Sequence, residues 1–206
     1  MSMTAIQPTI GSQGAVAFRA MTAEEFAAWV ERPENADRHF ELEKGEVIEM
    51  PPPKRLHGFV CNNMAWRLTN YAETRGVGIV CTNDAGVIVE RDPDTVRGPD
   101  VAYFDDVQAA DEILAEYAKV PPVIAVEVLS PDDRVNQVAL KVDEYLAFGV
   151  KQVWVVDPEA KDIAVHRVGV SMRLLNQDDE LLGGDALPGF SCRVSDFFRL
   201  PGQKVT

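Results

Sequence analysis

Apolar residues recur at helical spacing in three segments of the chain. Thr22 and Glu25 form a capping-box pattern at the start of the first segment, which predicts a short helix with Phe26 on its apolar side. The second segment covers about residues 57–75 and is followed by Gly76. This pattern predicts an amphipathic helix that ends at a glycine.

The third helical segment lies in the second half of the chain. Asp132 or Asp133 can cap it, and Gly149 follows its last residue, Phe148. The residues of this third helix expected to face the core are Val135, Val138, Val142 and Tyr145. A short surface helix is also predicted over residues 109–119.

Segments of alternating or continuous apolar residues predict strands between these helices. Residues 40–50 alternate around Gly45 and predict a hairpin, whereas the mainly apolar run at 123–129 predicts a central strand. Residues 151–168 predict two strands joined by a turn at Asp157-Pro158, and weaker strands follow from Met172 onward. Three further pieces, at 76–82, 85–90 and 99–104, suggest an antiparallel meander.

The order of helices and strands predicts an α/β fold, with a mixed sheet flanked by helices. A length of 206 residues suits a single domain. The first 17 residues carry Gly, Ser, Gln and Pro without apolar periodicity, so we expect a flexible tail there. Residues 18–206 are then expected to form the one domain.

Composition narrows the class of protein. Hydrophobic residues make up 46% and charged residues 26% of the chain, as in ordinary globular proteins. The apolar runs are far shorter than the roughly 20 residues that span a bilayer, and the N-terminus does not resemble a secretory signal. We therefore expect a cytoplasmic protein without a membrane partner. The three scattered cysteines favour reduced core or surface residues over a disulfide or zinc framework.

The net charge of -13 opposes non-specific binding of nucleic acid by the whole surface, because Lys and Arg drive phosphate binding. A local basic patch could still exist, since the local field matters more than the total charge. The candidates, all close in sequence to the motifs described below, are Arg55, Arg67, Arg91, Arg97 and Arg134.

Three ionisable residues stand out as candidate site residues. Glu127 interrupts an apolar strand, where an ionised carboxylate is costly unless a cation or hydrogen bonds compensate it. Asp100 follows Pro99 at the start of another strand, and Lys141 lies at the border of the third helix's apolar stripe. Each has an ordinary alternative: a strand end or buried pair for Glu127, a turn for Asp100 and a surface lysine for Lys141.

Two carboxylates and a lysine together suffice for metal-assisted phosphodiester cleavage. Carboxylate oxygens hold a hard ion such as Mg²⁺, which activates water and neutralises charge on the phosphate. The lysine can orient the nucleophile or stabilise the transition state. The chain contains neither a GxxxxGK[ST] phosphate loop nor a GxSxG element, which argues against a nucleotide-hydrolysing motor and a serine hydrolase.

These residues belong to a series of motifs that follow one another along the chain. The series comprises FELEKGEVIEM (40–50), His57, PDVAYF (99–104), EVLSPDDR (127–134), Lys141, Tyr145 and GVKQVWVVDP (149–158). From about residue 21 to 198 the chain resembles the Uma-two family of restriction endonucleases, a branch of the PD-(D/E)XK nuclease superfamily. The resemblance implies a restriction-endonuclease-like fold, a DNA substrate, Mg²⁺ or Mn²⁺ as cofactor and a homodimer.

Carried over by position, the resemblance makes Asp100 and Glu127 catalytic metal ligands. Leu129 occupies the place where many superfamily members have their lysine, and Lys141 resembles the migrated catalytic lysine of this branch. Glu41 resembles an additional acidic site residue, although it could be a solvated strand residue. His57 matches a family histidine that could orient substrate or transfer a proton, or could be structural.

Three functional hypotheses follow. The first is a Mg²⁺-dependent deoxyribonuclease that cuts DNA with metal-activated water. The second is a non-catalytic binding or regulatory protein that retains the fold, which the acidic composition favours. The third is a metal-dependent hydrolase of a small phosphoester, which keeps the site and changes the substrate.

Overall fold

The computed structural model describes residues 19–106, 113, 116–131, 133–200 and 202–203. Within these ranges the chain forms three α-helices, twelve strands and a closing 3₁₀ turn, Val194–Phe197. The helices are α1 Ala23–Val30, α2 Arg55–Arg75 and α3 Val135–Phe148. The strands are β1 His39–Glu43, β2 Glu46–Met50, β3 Ile79–Thr82, β4 Val87–Glu90, β5 Thr95–Arg97, β6 Val101–Phe104, β7 Ile124–Val128, β8 Gln152–Asp157, β9 Asp162–Arg167, β10 Val170–Leu175, β11 Glu180–Leu182 and β12 Ser191–Arg193.

Six strands form the large sheet, in the order β10-β9-β8-β7-β6-β3. Strands β7 and β8 are parallel, and the other neighbours in this sheet pair antiparallel. A parallel pair needs a crossover connection, and α3 supplies it between β7 and β8. The large sheet is therefore mixed, as the sequence predicted.

Helices cover both faces of the large sheet. On one face, Val60, Met64 and Leu68 of α2 pack in a cluster with Val126 and Trp154 of the sheet. On the other face, Val142 and Tyr145 of α3 pack with Ala125, Val153 and Val155. All these side chains are at least nine-tenths buried. Because β7 has neighbours on both sides and helices on both faces, it is buried at every residue.

Four strands form the small sheet, in the order β2-β1-β5-β4. Helix α1 packs on this sheet through Phe26, against Leu42 and Val96. Thr22 caps the helix as predicted, since its side chain accepts the Glu25 N–H and the Glu25 carboxylate accepts the Thr22 N–H. Among the described residues the chain passes between these two sheets three times, before β3, before β4 and before β6.

The predicted meander is wrong. Strand β3 pairs with β6 in the large sheet, whereas β4 pairs with β5 in the small sheet. Strand β5 was missed, because three residues are too few to show alternation. The three helices, the hairpin around Gly45 and the strands of 151–168 agree with the predictions.

The start of α3 also differs from the prediction. Arg134 occupies the N-cap position without a capping side chain, and the Asp133 carboxylate accepts the Ser130 N–H instead. Asp132 lies outside the described residues. Val135 does not belong to the buried stripe, since it is 83% exposed in the first turn of the helix.

The surface helix predicted over 109–119 falls largely outside the described residues. In the part of this segment that the structure describes, Ala118 forms a parallel bridge with Val87 and exchanges backbone hydrogen bonds with Gly86 and Ile88. This part is therefore extended and not helical. The tail expected over residues 1–17 also lies outside the described part. No helix in the described ranges is long and apolar enough to cross a membrane.

Candidate active site

The predicted site residues gather at a cavity of ≈ 610 Å³ where the two sheets meet. The small sheet contributes Glu41 from β1, and the large sheet contributes Glu127 from β7. Asp100 lies in the segment that links the sheets, while His57 and Lys141 come from α2 and α3. All five residues assigned to the catalytic site from the sequence therefore line one cavity.

Glu127 is held from the α3 face of the large sheet. The Tyr145 hydroxyl donates to Glu127 Oε1 at 2.8 Å, and Lys141 Nζ donates to Oε2 at 3.2 Å. Lys141 and Tyr145 are four residues apart, so they lie on the same side of α3. Lys141 and Tyr145 therefore supply a cation and a hydrogen bond to this strand carboxylate. The buried pair given above as the ordinary alternative for Glu127 is present, and its cation is another candidate site residue.

Glu41 is the second partner of Lys141, since Lys141 Nζ lies 2.8 Å from Glu41 Oε1. The same carboxylate accepts the Gly98 N–H at 3.2 Å and Arg97 Nη1 at 3.0 Å. Glu41 is 4% exposed, which removes the alternative of a solvated strand residue. One ammonium group therefore joins a carboxylate of the small sheet to a carboxylate of the large sheet.

Arg97 ties this group to two further acids. Its Nη2 donates to Glu43 at 2.9 Å, and its Nε and Nη2 form a fork to the Glu144 carboxylate at 2.6 and 3.0 Å. Three carboxylates thus surround one buried guanidinium, whose pKa is raised because these ion pairs outweigh its burial. Arg97 therefore does not contribute to a DNA-binding patch.

Asp100 is held from the opposite side of the site. Its Oδ2 accepts the Val128 N–H at 2.6 Å, which places the carboxylate beside the end of β7 that carries Glu127. Its Oδ1 lies 3.1 Å from Nε2 of His57 in the first turn of α2. The other ring nitrogen of His57 lies 3.4 Å from Cys61 Sγ, one helical turn further on.

Burial and charge shift the pKa values of these groups. Burial raises the pKa of Glu127 to about 7, because neighbouring Asp100 and Glu41 add to the effect and Lys141 only partly opposes it. Burial alone lowers the pKa of Lys141, but Glu127 and Glu41 together raise it above its ordinary value, so the amine stays charged. Hydrogen bonding to Asp100 raises the pKa of His57. Perturbed groups in a cavity are typical of functional sites.

Sequence reasoning missed Asp84, which also lines the cavity. Burial, followed by repulsion from Asp100, raises the pKa of its carboxyl, and its Oδ2 lies 3.2 Å from His39 Nδ1. Gly98 permits this arrangement, since a Cβ there would lie 2.7 Å from the Asp84 Cβ and carbonyl oxygen. The signal available was the turn at Asn83-Asp84, which is typical of an ordinary loop.

The basic patch proposed from the sequence is reduced to two residues. Besides the buried Arg97, Arg67 pairs with Asp196, and Arg91 pairs with Glu24 and Asp94. Arg55 at the start of α2 and Arg134 at the N-cap of α3 remain exposed, next to elements that line the cavity. A smaller, mainly apolar cavity of ≈ 250 Å³ lies beside α3 and includes Val138, Val142 and His166.

Two groups of side chains in the cavity suit metal ions. Asp100 and Glu127 offer carboxylate oxygens, the ligands that Mg²⁺ prefers, and oxygens that already accept one hydrogen bond retain lone pairs. His57, Cys61 and Asp100 form the second group, in which one ligand atom from each lies within 4.8 Å of the others. The assignment of Asp100 and Glu127 as metal ligands stays a prediction.

Comparisons with known proteins agree with the fold. Comparison with curated proteins gave no match. Among solved structures, "a putative nuclease belonging to DUF820" from Anabaena variabilis ATCC 29413 matches with a TM-score of 0.72 at 18% identity, over 86% of this chain and 97% of that one. A family model described as "Uma2: Putative restriction endonuclease" matches residues 23–195. Since that match spans most of the sequence, the chain belongs to the Uma2 family.

Proposed function

We propose that this chain is a Mg²⁺-dependent endonuclease that hydrolyses DNA phosphodiester bonds, with Mn²⁺ able to replace Mg²⁺. The observation that carries the proposal is the contact of Lys141 with both Glu127 and Glu41, in a cavity that Asp100 also lines. Membership in a restriction-endonuclease family supports DNA as the substrate.

The donor set fits a hard divalent ion. Glu127 presents its oxygen atoms from β7 and Asp100 from the residue before β6, and the Val128 N–H fixes Asp100 next to the Glu127 end of β7. Bound there, Mg²⁺ would supply Lewis-acid activation of water and neutralise charge on the scissile phosphate. Tyr145 positions Glu127 by donating to Oε1, so the carboxylate does not have to be ordered when the ion binds.

Lys141 is the residue that we expect to donate a hydrogen bond to the phosphate or to the attacking water. Its ammonium has three hydrogens, of which Glu41 and Glu127 accept two, so one donor remains for a phosphate oxygen or a water molecule. Glu41 keeps this ammonium at the cavity because Arg97 and Gly98 fix the carboxylate in turn. His57 orients Asp100 from the α2 side.

A hydrolase of small phosphoesters is the second candidate. The cavity volume of ≈ 610 Å³ lies within the range of small-molecule sites, and few arginines remain for DNA. This candidate uses the same side chains. Bis(p-nitrophenyl) phosphate separates the two substrates: much faster turnover of this compound than of DNA would favour the second candidate.

Supercoiled plasmid and single-stranded DNA, incubated with Mg²⁺, Mn²⁺ or EDTA, test the first proposal. We expect cleavage by the wild-type chain with either metal, and none in EDTA. Asp100→Asn, Glu127→Gln and Lys141→Met should each lower the rate at least about 100-fold, because each removes charge or a ligand from the reacting centre.

Exposed residues of the same types provide matched controls. Glu46→Gln on β2 and Lys151→Met before β8 should retain wild-type cleavage, since both side chains are exposed and neither lines the cavity. Activity that survives Asp100→Asn or Glu127→Gln contradicts the assignment of the site. Absence of metal binding by calorimetry would instead favour the non-catalytic binding protein, which the net charge of -13 suits.

The proposal includes a homodimer, in which two sites would reach both DNA strands. Support comes from β10, the outer strand of the large sheet, where Val170, Met172 and Leu174 are each more than half exposed. An edge strand with apolar side chains of this kind suits pairing with another chain. An identical strand is self-complementary in the antiparallel direction.

A further inference from the structure

His57, Cys61 and Asp100 bring together three kinds of metal ligand at one wall of the cavity. His57 and Cys61 are four residues apart on α2, so they project from the same side of the helix, and Asp100 approaches from the segment before β6. The sequence assigned His57 and Asp100 to the catalytic site, but it took Cys61 as a reduced core or surface residue and did not group the three as metal ligands. The grouping depends on how α2 docks on the large sheet.

The spacing of the donor atoms suits a tetrahedral ion. Bonds of about 2.0 Å to nitrogen and about 2.3 Å to sulfur, at a tetrahedral angle, place the two donor atoms roughly 3.5 Å apart. The observed separation of His57 Nδ1 and Cys61 Sγ is 3.4 Å. Asp100 Oδ1 lies 3.1 Å from the other ring nitrogen, Nε2, and one ligand atom from each of the three side chains lies within 4.8 Å of the others. Binding of one ion by all three side chains therefore requires a rotation of the His57 ring or of the Asp100 carboxylate.

The ligand types also discriminate between ions. A sulfur ligand suits borderline-soft ions such as Zn²⁺ and Co²⁺, whereas Mg²⁺ requires oxygen ligands. Burial, followed by repulsion from Asp100 and Asp84, raises the pKa of the Cys61 thiol, so the thiolate forms only when a cation is bound. The same two carboxylates attract that cation. Since the three side chains line the cavity, an ion can enter from solvent and keep water in its remaining position.

We propose that His57, Cys61 and Asp100 form a site for a thiophilic divalent ion of the Zn²⁺ class, which inhibits cleavage because it takes Asp100 from the Mg²⁺ site. The thiol of Cys61 releases its proton to water as the sulfur–metal bond forms. Binding of the ion is independent of the activity of the chain. Inhibition rests on the proposed nuclease function.

Cobalt spectroscopy tests the binding. Co²⁺ added to the full chain should give a thiolate-to-metal charge-transfer absorption that excess Zn²⁺ abolishes. Cys61→Ala and Cys61→Ser should lack this absorption, and serine keeps a side chain of similar size in case alanine disturbs folding. Cys81→Ala is the matched control and should retain it, because Cys81 is also partly buried but lies on β3 outside the cluster. No absorption in the wild type, or an undiminished absorption in both Cys61 variants, overturns the proposal.

Inhibition is measured with fixed Mg²⁺ and increasing Zn²⁺, each variant relative to its own rate without Zn²⁺. The wild type and Cys81→Ala should be inhibited at the concentration that saturates the cobalt-competition signal. Cys61→Ser should need at least about tenfold more Zn²⁺, and equal sensitivity overturns the inhibitory role. If the wild type shows the absorption but never cleaves DNA, the metal site stands and the nuclease proposal fails.

Discussion

Arg97 is a buried cation enclosed by the carboxylates of Glu41, Glu43 and Glu144. Its side chain is 3% exposed, so it cannot exchange these partners for water. Removing one member of a buried ion pair leaves the other charges uncompensated, which costs far more than losing a pair in solvent. Arg91 offers a contrast, because it also binds two acids but its side chain is 44% exposed.

Arg97→Met should therefore lower the free energy of unfolding by about 3 to 5 kcal/mol. Arg91→Met, the matched control, should lower it by less than about 1 kcal/mol. Its pair with Glu24 is exposed, and the more buried Asp94 carboxylate keeps the hydrogen bonds from the Ala23 and Asp92 N–H groups. Urea unfolding followed by circular dichroism measures both values. Equal effects of the two substitutions would show that the carboxylates around Arg97 find other partners.

At the residue scale, Glu127 could be identified from the sequence before its partners were known, because a carboxylate in an apolar strand is anomalous. Its actual partners were harder to find. Tyr145 was interpreted as part of the apolar stripe of α3, and its hydroxyl bond to Glu127 depends on the packing of that helix on β7. Asp84 lies in a turn, where acidic residues are ordinary.

Strand β10 is the element whose surroundings are least complete within one chain. Among the described residues, it forms one edge of the large sheet and pairs with β9 alone. Leu174 is 58% exposed on it, next to similarly exposed Met172. Apolar side chains on an exposed edge favour association with an identical edge.

Leu174→Lys should shift the chain from dimer toward monomer, because a charged side chain opposes burial at this edge. Light scattering coupled to size exclusion gives the mass, to be compared with 22.7 kDa for one chain. Leu182→Lys is the matched control, since Leu182 is 52% exposed on β11, outside the large sheet. A monomeric wild type at all concentrations would contradict the homodimer.

At the element scale, local patterns predicted the helices, the hairpin around Gly45 and the central strand. Helical periodicity and a turn glycine act within about ten residues, so they are readable from the sequence. Pairing between distant strands is not local: β3 joins β6 across the whole of β4 and β5. The separation of the small sheet from the large sheet, which forms the cavity, could therefore not be predicted.

The charge of the whole molecule limits how DNA can bind. A net charge of -13 repels the phosphate backbone, and three of the five arginines near the motifs are engaged in ion pairs. Arg55 and Arg134 remain exposed, and both lie within two residues of a side chain that lines the cavity, His57 and Asp133 respectively. Binding of DNA should therefore depend on these two residues together with the bound metal.

Arg55→Gln and Arg134→Gln should each weaken DNA binding and lower the slope of log K against log salt by about 1. Fluorescence anisotropy with labelled DNA and Mg²⁺ measures both effects, in the Lys141→Met background so that the DNA stays intact. Arg167→Gln on β9 is the control, since Arg167 is exposed and no residue within two positions of it lines the cavity. Unchanged binding in both variants would show that DNA binds at another surface of the protein.

The Glu41–Lys141–Glu127 bridge has a consequence for the chain during its synthesis. Glu41 leaves the ribosome about a hundred residues before Lys141, and the two meet only when the small sheet, the large sheet and α3 have docked. A growing or truncated chain therefore holds its acidic residues without the ammonium that joins them. For the endonuclease proposed above, cleavage would begin only after Lys141 has been synthesised and α3 has docked, which would protect the DNA nearby from shorter, unfinished copies.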